Sequence, residues 1–389
     1  MHKQLISRRE LLVAGSGAAG LAMLPACTAG KKERLTITQV DLHKIIVPMK
    51  PDTTASPELP DAEGDNSWPK VPKMVMKIHT DSGITGIGET GRGENWPGVE
   101  RNAEFLKGKA VFDFTLTKLD LPDPAGYAAF EMALYDIVGK AVGWPVWRLL
   151  GGLAQPKVFV GYWTGRKTVE GMKRVAERAK AGNFKNIKTK NKQGDPIVEA
   201  IEMVAKVAPG VSVTLDPNTR YNSLKDFLEV ALKLEKIGNM LVYEDPFDKS
   251  DFEGYRKLRS QVKTHVALHL GDTKAMIKGI CEQACSAFNT GGNPGMASFV
   301  SNCYVAQVEG MPVWHGSGND LGIVDAAYTH SCAAASNCTF PSDILGFLRE
   351  DDLVLTPIEI KDSYAIVPTT PGLGVELDEE AAKKYHTTA

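Results

Sequence analysis

The chain carries no excess of either charge: 45 lysines and arginines face 47 aspartates and glutamates, for a formal net charge of −2 with 24% charged residues. That balance excludes the basic stripe of a nucleic-acid surface and a polybasic membrane patch. Cysteine is scarce, 6 in 389 residues, which excludes a disulfide scaffold in a chain of this size. After Cys27 the rest are Cys281, Cys285, Cys303, Cys332 and Cys338, an odd number clustered late, and buried thiols are their expected state. Cys281 and Cys285 could sit one helical turn apart, but the close-spaced pairs that usually hold zinc are missing. What is present is a hydrophobic content of 43%, enough for two globular domains acting on a small molecule.

The N-terminus differs from the rest. Ser7-Arg8-Arg9-Glu10 opens a Gly- and Ala-rich apolar run that ends near Leu24-Pro25-Ala26-Cys27 and is too short to span a bilayer. Residues 1–30 read as a twin-arginine export signal, predicting a periplasmic protein and excluding that stretch from the fold. Leu24–Cys27 is also an imperfect lipoprotein box, so membrane contact is expected only through lipidation at Cys27. Removing Lys3, Arg8, Arg9 and Glu10 moves the net charge from −2 to −4.

Residues 31–155 mix strands with helices. Thr36–Val47 and Met74–Glu89 read as strands, the second folded into a hairpin at Asp81-Ser82-Gly83. Phe130, Ala133, Leu134 and Ile137 recur at helical spacing in a helix over Tyr127–Gly143. This predicts an α+β domain, with Pro51–Pro72 as a functional lid.

From Lys157 apolar strand-like runs alternate with amphipathic helices at Val169–Ala181, Pro196–Val207 and Leu224–Ile237, the pattern of a parallel α/β barrel over 156–355. Residues 356–389 form a closing segment. Lys188, Asp216, Glu244 and Asp272 recur at intervals of 28, 28 and 28 residues, each at the expected C-terminal end of a strand, where a barrel gathers its functional groups. Strand alternation turns Lys188 and Lys190 inward, with Ser212, Thr214, Asp216 and Asn218 on the lumen face. Asp216, Glu244 and Asp272 would be hard oxygen donors from three successive strands, which suits Mg2+. His269 is out of phase with Asp272 and is expected to face the helices.

The ordered motifs resemble the mandelate racemase and muconate lactonizing branch of the enolase superfamily. Phe130–Ile137 followed by Leu149-Leu150-Gly151-Gly152 resembles its helix leading into the barrel, and Lys188-Thr189-Lys190 its lysine pair. Asp216-Pro217-Asn218, Tyr243-Glu244-Asp245-Pro246 and Leu270-Gly271-Asp272 resemble its metal-ligand strands. Gly291-Gly292, Trp314-His315-Gly316 and Pro371–Leu377 resemble its later landmarks. The resemblance covers nearly the whole chain after the signal and implies a capping domain over a modified TIM barrel, (β/α)7β, with the C-terminal segment returning to the cap.

It also implies magnesium-assisted removal of the proton beside a carboxylate. Lys190 would be the base, its proton affinity lowered by Lys188; Lys188 would polarise the substrate carboxylate, and His315 would act as second base or acid. Asn218, Tyr162 and Trp163 would bind substrate. Ser286 stands where an aspartate would support His315, and the last strand offers only Asp343 near the position of an acidic electrophile. These departures favour dehydration of a sugar acid over racemisation. An epimerase or cycloisomerase is the alternative, and a non-catalytic exported binding protein another. A symmetric homo-oligomer is the expected assembly.

Overall fold

The computed structural model describes residues 35–54, 59, 69–291 and 295–388. The export signal and Cys27 lie outside these residues, as do Gly292 and most of the expected lid. From Leu35 onward, cap, barrel and C-terminal segment form one compact unit.

The cap begins with an antiparallel sheet of β1 (Ile37–Pro48), β2 (Lys70–Thr80) and β3 (Thr85–Glu89), in that order. Helices α1 (Trp96–Leu106) and α2 (Tyr127–Val142) cover one face, and Gly143 ends α2 in the left-handed region at φ 73°. Period-two alternation divides β2 between two cores: Met74, Met76 and Ile78 pack with Val99, Phe130, Leu134 and Ile137, whereas Val71 and Val75 join the barrel-side core. Gly86 and Gly88 let β3 lie directly on α2, where an added Cβ would come within 2.1 Å of the Ala133 and Ala129 carbonyls.

The barrel starts after α3 (Val146–Leu149) and β4 (Lys157–Phe159). It runs β5 (Tyr162–Thr164), α4 (Val169–Ala181), β6 (Asn186–Lys190), α5 (Ile197–Val207), β7 (Ser212–Asp216), α6 (Leu224–Ile237) and β8 (Met240–Glu244). It continues through α7 (Phe252–Arg259), β9 (His265–His269), α8 (Thr273–Cys281), β10 (Ala287–Asn289), α9 (Met296–Val308), β11 (Val313–Trp314) and α10 (Gly322–Ala334). Strands β5 to β11 make one parallel sheet in sequence order. Residues 340–343 close it: Phe340 and Asp343 donate backbone N–H groups to Val313 and His315, and Ser342 donates to Phe159 on the other side. The helix starts follow from side-chain caps, with Thr168, Ser223, Asp251 and Asp272 each accepting a first-turn N–H.

The C-terminal segment divides its contacts. Strands β12 (Ile360–Lys361) and β13 (Tyr364–Ile366) pair onto β4, while the residues after α11 (Glu379–Lys384) bond to β1 through Thr387 N–H and the Lys44 carbonyl, 2.9 Å apart. Polar groups stitch cap to barrel. Lys73, fully buried on β2, pairs with Asp320 and with Glu89 at 3.3 Å, and Glu89 accepts the Leu321 and Val324 N–H groups at the start of α10. Glu131 of α2 accepts the first N–H groups of α9, from Met296 and Ala297.

His330 fixes the seam between α10, α3 and the C-terminal segment. Its Nδ1 accepts the Trp147 N–H at 3.2 Å and its Nε2–H donates to the Leu373 carbonyl at 3.0 Å. Only the neutral ring can do both, and burial pushes its pKa down to about 4 from 6.5. The unfolded chain therefore binds more protons across that window, so stability is complete above it and falls as pH drops from 6.5 towards 4. We expect His330→Gln to remove up to roughly 1.4 kcal/mol per pH unit of that slope. Urea unfolding of both proteins across the window checks this, and identical slopes would exclude the assignment.

Candidate active site

The C-terminal ends of β6, β7 and β8 meet the closing segment at one buried ammonium group. Lys188 Nζ lies 2.9 Å from Glu244 Oε2, 3.1 Å from Asp343 Oδ2 and 3.8 Å from Asp216 Oδ2. Pairing in register explains this, because Lys190 sits opposite Asp216 and Leu215 opposite Tyr243, which levels Asp216 with Glu244. Burial alone would favour the neutral amine, but Asp343, Glu244 and Asp216 together raise the proton affinity of Lys188 above the usual lysine range. The expected mutual repulsion of the two lysines therefore does not set their environment: carboxylates do, and Lys190 forms its own ion pair with Asp216.

Glu244 is buried, which opposes ionisation, yet Lys188, Lys190, His269 and a hydrogen bond from Asn289 hold its pKa down at about 2. Asn289 Nδ2 donates to Glu244 Oε1 at 2.6 Å. Glu244 Oε2 and Asp245 Oδ2 are buried and are held by the ammonium groups of Lys188 and Lys249 at 2.9 and 2.6 Å. Glu244, Asp245 and His269 present ligand atoms all within 4.8 Å of one another, a donor set able to hold a divalent cation.

Asp272 is not in this group. It is exposed and caps α8, accepting the Ala275 N–H at 2.9 Å. The equal spacing fails at this step because α7 has 8 residues against 14 in α6, which brings β9 forward. Glu244 is level with Ala267 on β9, so the next lumen-facing position is His269. The expectation that His269 faces the helices is thus reversed: Nδ1 lies 3.8 Å from Glu244 Oε1, and Nε2–H donates to the Gly291 carbonyl at 2.9 Å.

His315 also departs from expectation. It stands next to Trp314, whose side chain fills the lumen with Val242, Ala267 and Ala287, so alternation sends the histidine ring outward. There it stacks on Tyr328 with centroids 3.6 Å apart, packs on Phe299 and hydrogen-bonds the Gly316 carbonyl. Burial pushes its pKa down to about 4. It lines a cavity of about 30 Å³ with Glu89, Asp320 and Tyr328, between cap and barrel. Ser286 lies at the opposite end of β10, bonded to Val266; the side chain bonded to the Gly316 N–H is Asn289.

Of the expected substrate contacts, Trp163 pairs in register with Lys188 and shares its face. Tyr162 points the other way, into a cluster with Phe184 and Phe347. Asn218 has left the strand at φ 50° and donates its backbone N–H to Asp216 Oδ1 at 2.9 Å. At the start of the expected lid, Asp52 pairs with Lys167, Arg174 and Arg178, and Thr164 bonds the Thr53 carbonyl, which anchors this segment at the barrel rim. The sequence reading missed the roles of His269 and Asn289 and left Asp343 without one. Asn289 carries a signal in hindsight, two residues before Gly291 and in phase with Ala287.

Comparison with known proteins places the chain clearly. The family model described as enolase C-terminal domain-like matches residues 171–381. The chain is 32% identical over 269 residues to an N-succinylamino acid racemase of Thermus thermophilus, covering 66% of this chain and 69% of the relative. It is 26% identical to a probable glucarate dehydratase of Streptomyces coelicolor, covering 90% and 91% respectively. In structure it is similar to the muconate lactonizing enzyme of Pseudomonas fluorescens complexed with muconolactone, with a TM-score of 0.79 and 19% identity over 91% of this chain and all of that one.

The central ion cluster predicts an asymmetric response to mutation. Lys188→Met leaves Glu244, Asp343 and Asp216 without their shared countercharge and is expected to lower unfolding stability by about 3–5 kcal/mol in chelated protein. Adding Asp343→Asn should recover part of that loss. Urea unfolding of the single and double variants measures both, and a single variant as stable as the parent would exclude a central role for this ammonium.

Proposed function

Since the chain belongs to the enolase superfamily, whose relatives here are lyases and isomerases, we propose that this enzyme removes the proton alpha to a carboxylate and most readily dehydrates a sugar acid. The observation that carries this reading is the protonated Lys188, buried among Glu244, Asp216 and Asp343, with Lys190 beside it. A divalent cation bound at Glu244 and its neighbours, magnesium by family resemblance, supplies positive charge to the substrate carboxylate as the carbon acid ionises.

The chain's own groups account for the proton movements. Lys188, held as an ammonium, donates to the substrate carboxylate and adds a fixed charge in a buried setting. Lys190, two residues along the same strand face and less buried, takes the alpha proton onto Nζ from its amine form, which requires that its ion pair with Asp216 be released when substrate binds. The carbanion then expels the neighbouring hydroxyl, which leaves as water with the proton that Lys190 Nζ has just taken, and this returns Lys190 to the amine. Trp163, in register with Lys188, would wall this side of the pocket.

Similarity to a probable glucarate dehydratase along 90% of the chain supports elimination of water. Similarity to a racemase supports the second reading, isomerisation of a carboxylate, through the same first step.

Incubating the protein with a panel of sugar acids and magnesium in deuterated water, beside a chelated control, tests the proposal by product mass. Metal-dependent loss of one water is the expected result, with Lys190→Ala slower by roughly 10²- to 10⁴-fold. Deuterium gain without water loss would favour isomerisation. Turnover that survives both chelation and the Lys190 substitution would overturn the mechanism.

A further inference from the structure

The geometry points to an oxidisable dithiol: Cys332 at the end of α10 and Cys338 in the turn that follows close into a disulfide by exchange with a small-molecule disulfide, stapling α10 to the segment that completes the barrel. The pair lies outside the candidate active site and does not depend on the reaction proposed above.

The two side chains converge on one atom. Cys332 Sγ lies 3.5 Å and Cys338 Sγ 3.7 Å from Ser342 Oγ, and the two thiols also interact directly. A disulfide requires that both cysteines turn their sulfurs towards each other without backbone movement. Here the backbone is fixed to suit, because Ala335 N–H donates to the Cys332 carbonyl and Cys338 N–H to the Ala335 carbonyl, both at 3.2 Å. Gln155 Nε2 then bonds the carbonyls of Cys332, Ala335 and Cys338 at 3.0, 2.9 and 2.8 Å. Cys303 approaches Cys338 from α9, but the three sulfurs do not all fall within 4.8 Å of one another; among the described residues only Glu244, Asp245 and His269 converge in that way. The cluster is shaped for a pair and not for a metal ion.

Exchange starts at Cys338, which is buried between the exposed Ser336 and Thr339, so that opening of this turn brings it to water. Burial and the neighbouring Cys338 push the Cys332 thiol well above the usual thiol range while the turn is closed. The Cys338 thiolate attacks one sulfur of the reagent and releases one thiol; Cys332 then gives up its proton, attacks the mixed disulfide and releases the second. The two cysteine sulfurs lose two electrons to the reagent, and their protons leave on the released thiols. Ser342 Oγ also accepts the His315 backbone N–H at 3.1 Å, and Asp343 beside it pairs with Lys188. The staple therefore holds the segment that carries Asp343 to the barrel mouth.

The test refolds full-length protein from urea in a buffer of glutathione and glutathione disulfide, so that burial does not withhold the thiols, then alkylates it and cuts it with chymotrypsin. The peptide that follows Tyr328 holds Cys332 and Cys338 and no other cysteine; it is expected unalkylated and lighter than its dithiol form by two hydrogen atoms. Exposed Cys281, on a separate peptide, takes up glutathione and shows that the reagent is active. The oxidised protein should unfold at a higher urea concentration than the reduced one. Cys303→Ser should keep the disulfide and Cys332→Ser should lose it, with unfolding curves confirming that both variants fold. A parent peptide with both thiols alkylated, a lasting glutathione adduct on either cysteine, a bond to Cys303, or a disulfide that lowers the urea midpoint would each overturn the inference.

Discussion

Lys188 is the point on which the barrel mouth is built. An ammonium with almost no exposure is costly unless carboxylates surround it, and here three of them do, from β7, β8 and the closing segment. Removing any one would leave the rest imbalanced, so the cluster ties the second strand of the barrel to its last. The same arrangement serves chemistry. A charge fixed before substrate arrives needs no reorganisation when negative charge develops.

The cap depends on a second buried ionic group that follows the same logic at longer range. Lys73 reaches from β2 to Asp320 in the loop after β11, and Arg349 extends the network to Asp325. Glu89 supplies its carboxylate to the amide groups that open α10, where a negative charge complements the helix dipole. Tyr328 hydrogen-bonds Asp320 at 3.0 Å and stacks on His315. Cap position is thereby coupled to the loop beside the barrel mouth, which gives the His315 ring a structural neighbourhood made of cap and barrel together.

Much of this was legible from residue pattern. The helices at Val169–Ala181 and Leu224–Ile237 fall where their periodicity puts them, and Lys188, Asp216 and Glu244 converge because strand alternation and equal unit lengths hold through β8. The reading failed where unit length changed. Three residues fewer between Glu244 and the end of β9 shift the lumen phase from Asp272 to His269, and spacing alone could not reveal that α7 is short. Tyr162 and His315 failed for a related reason: each lies one residue from the lumen position, occupied by Trp163 and Trp314, and a one-residue error reverses the face. Asp343 could not be located by pattern, because its segment closes the barrel through isolated backbone bonds and has no strand periodicity to read.

The resulting pocket is chemically one-sided, and this bears on which reaction it favours. Cationic groups enter from β6, acids from β7, β8 and the closing segment, and an imidazole and an amide from β9 and β10. With His315 turned into the helix layer and the Nε2 of His269 tied to the Gly291 carbonyl, the lysine pair is the base that the described barrel strands offer under the proposed reading. Inversion at carbon needs proton exchange on both faces, whereas elimination of water or ring closure can be completed from one. The turn of a single histidine therefore weighs against racemisation, even though a racemase is among the relatives, and it does so through strand phase.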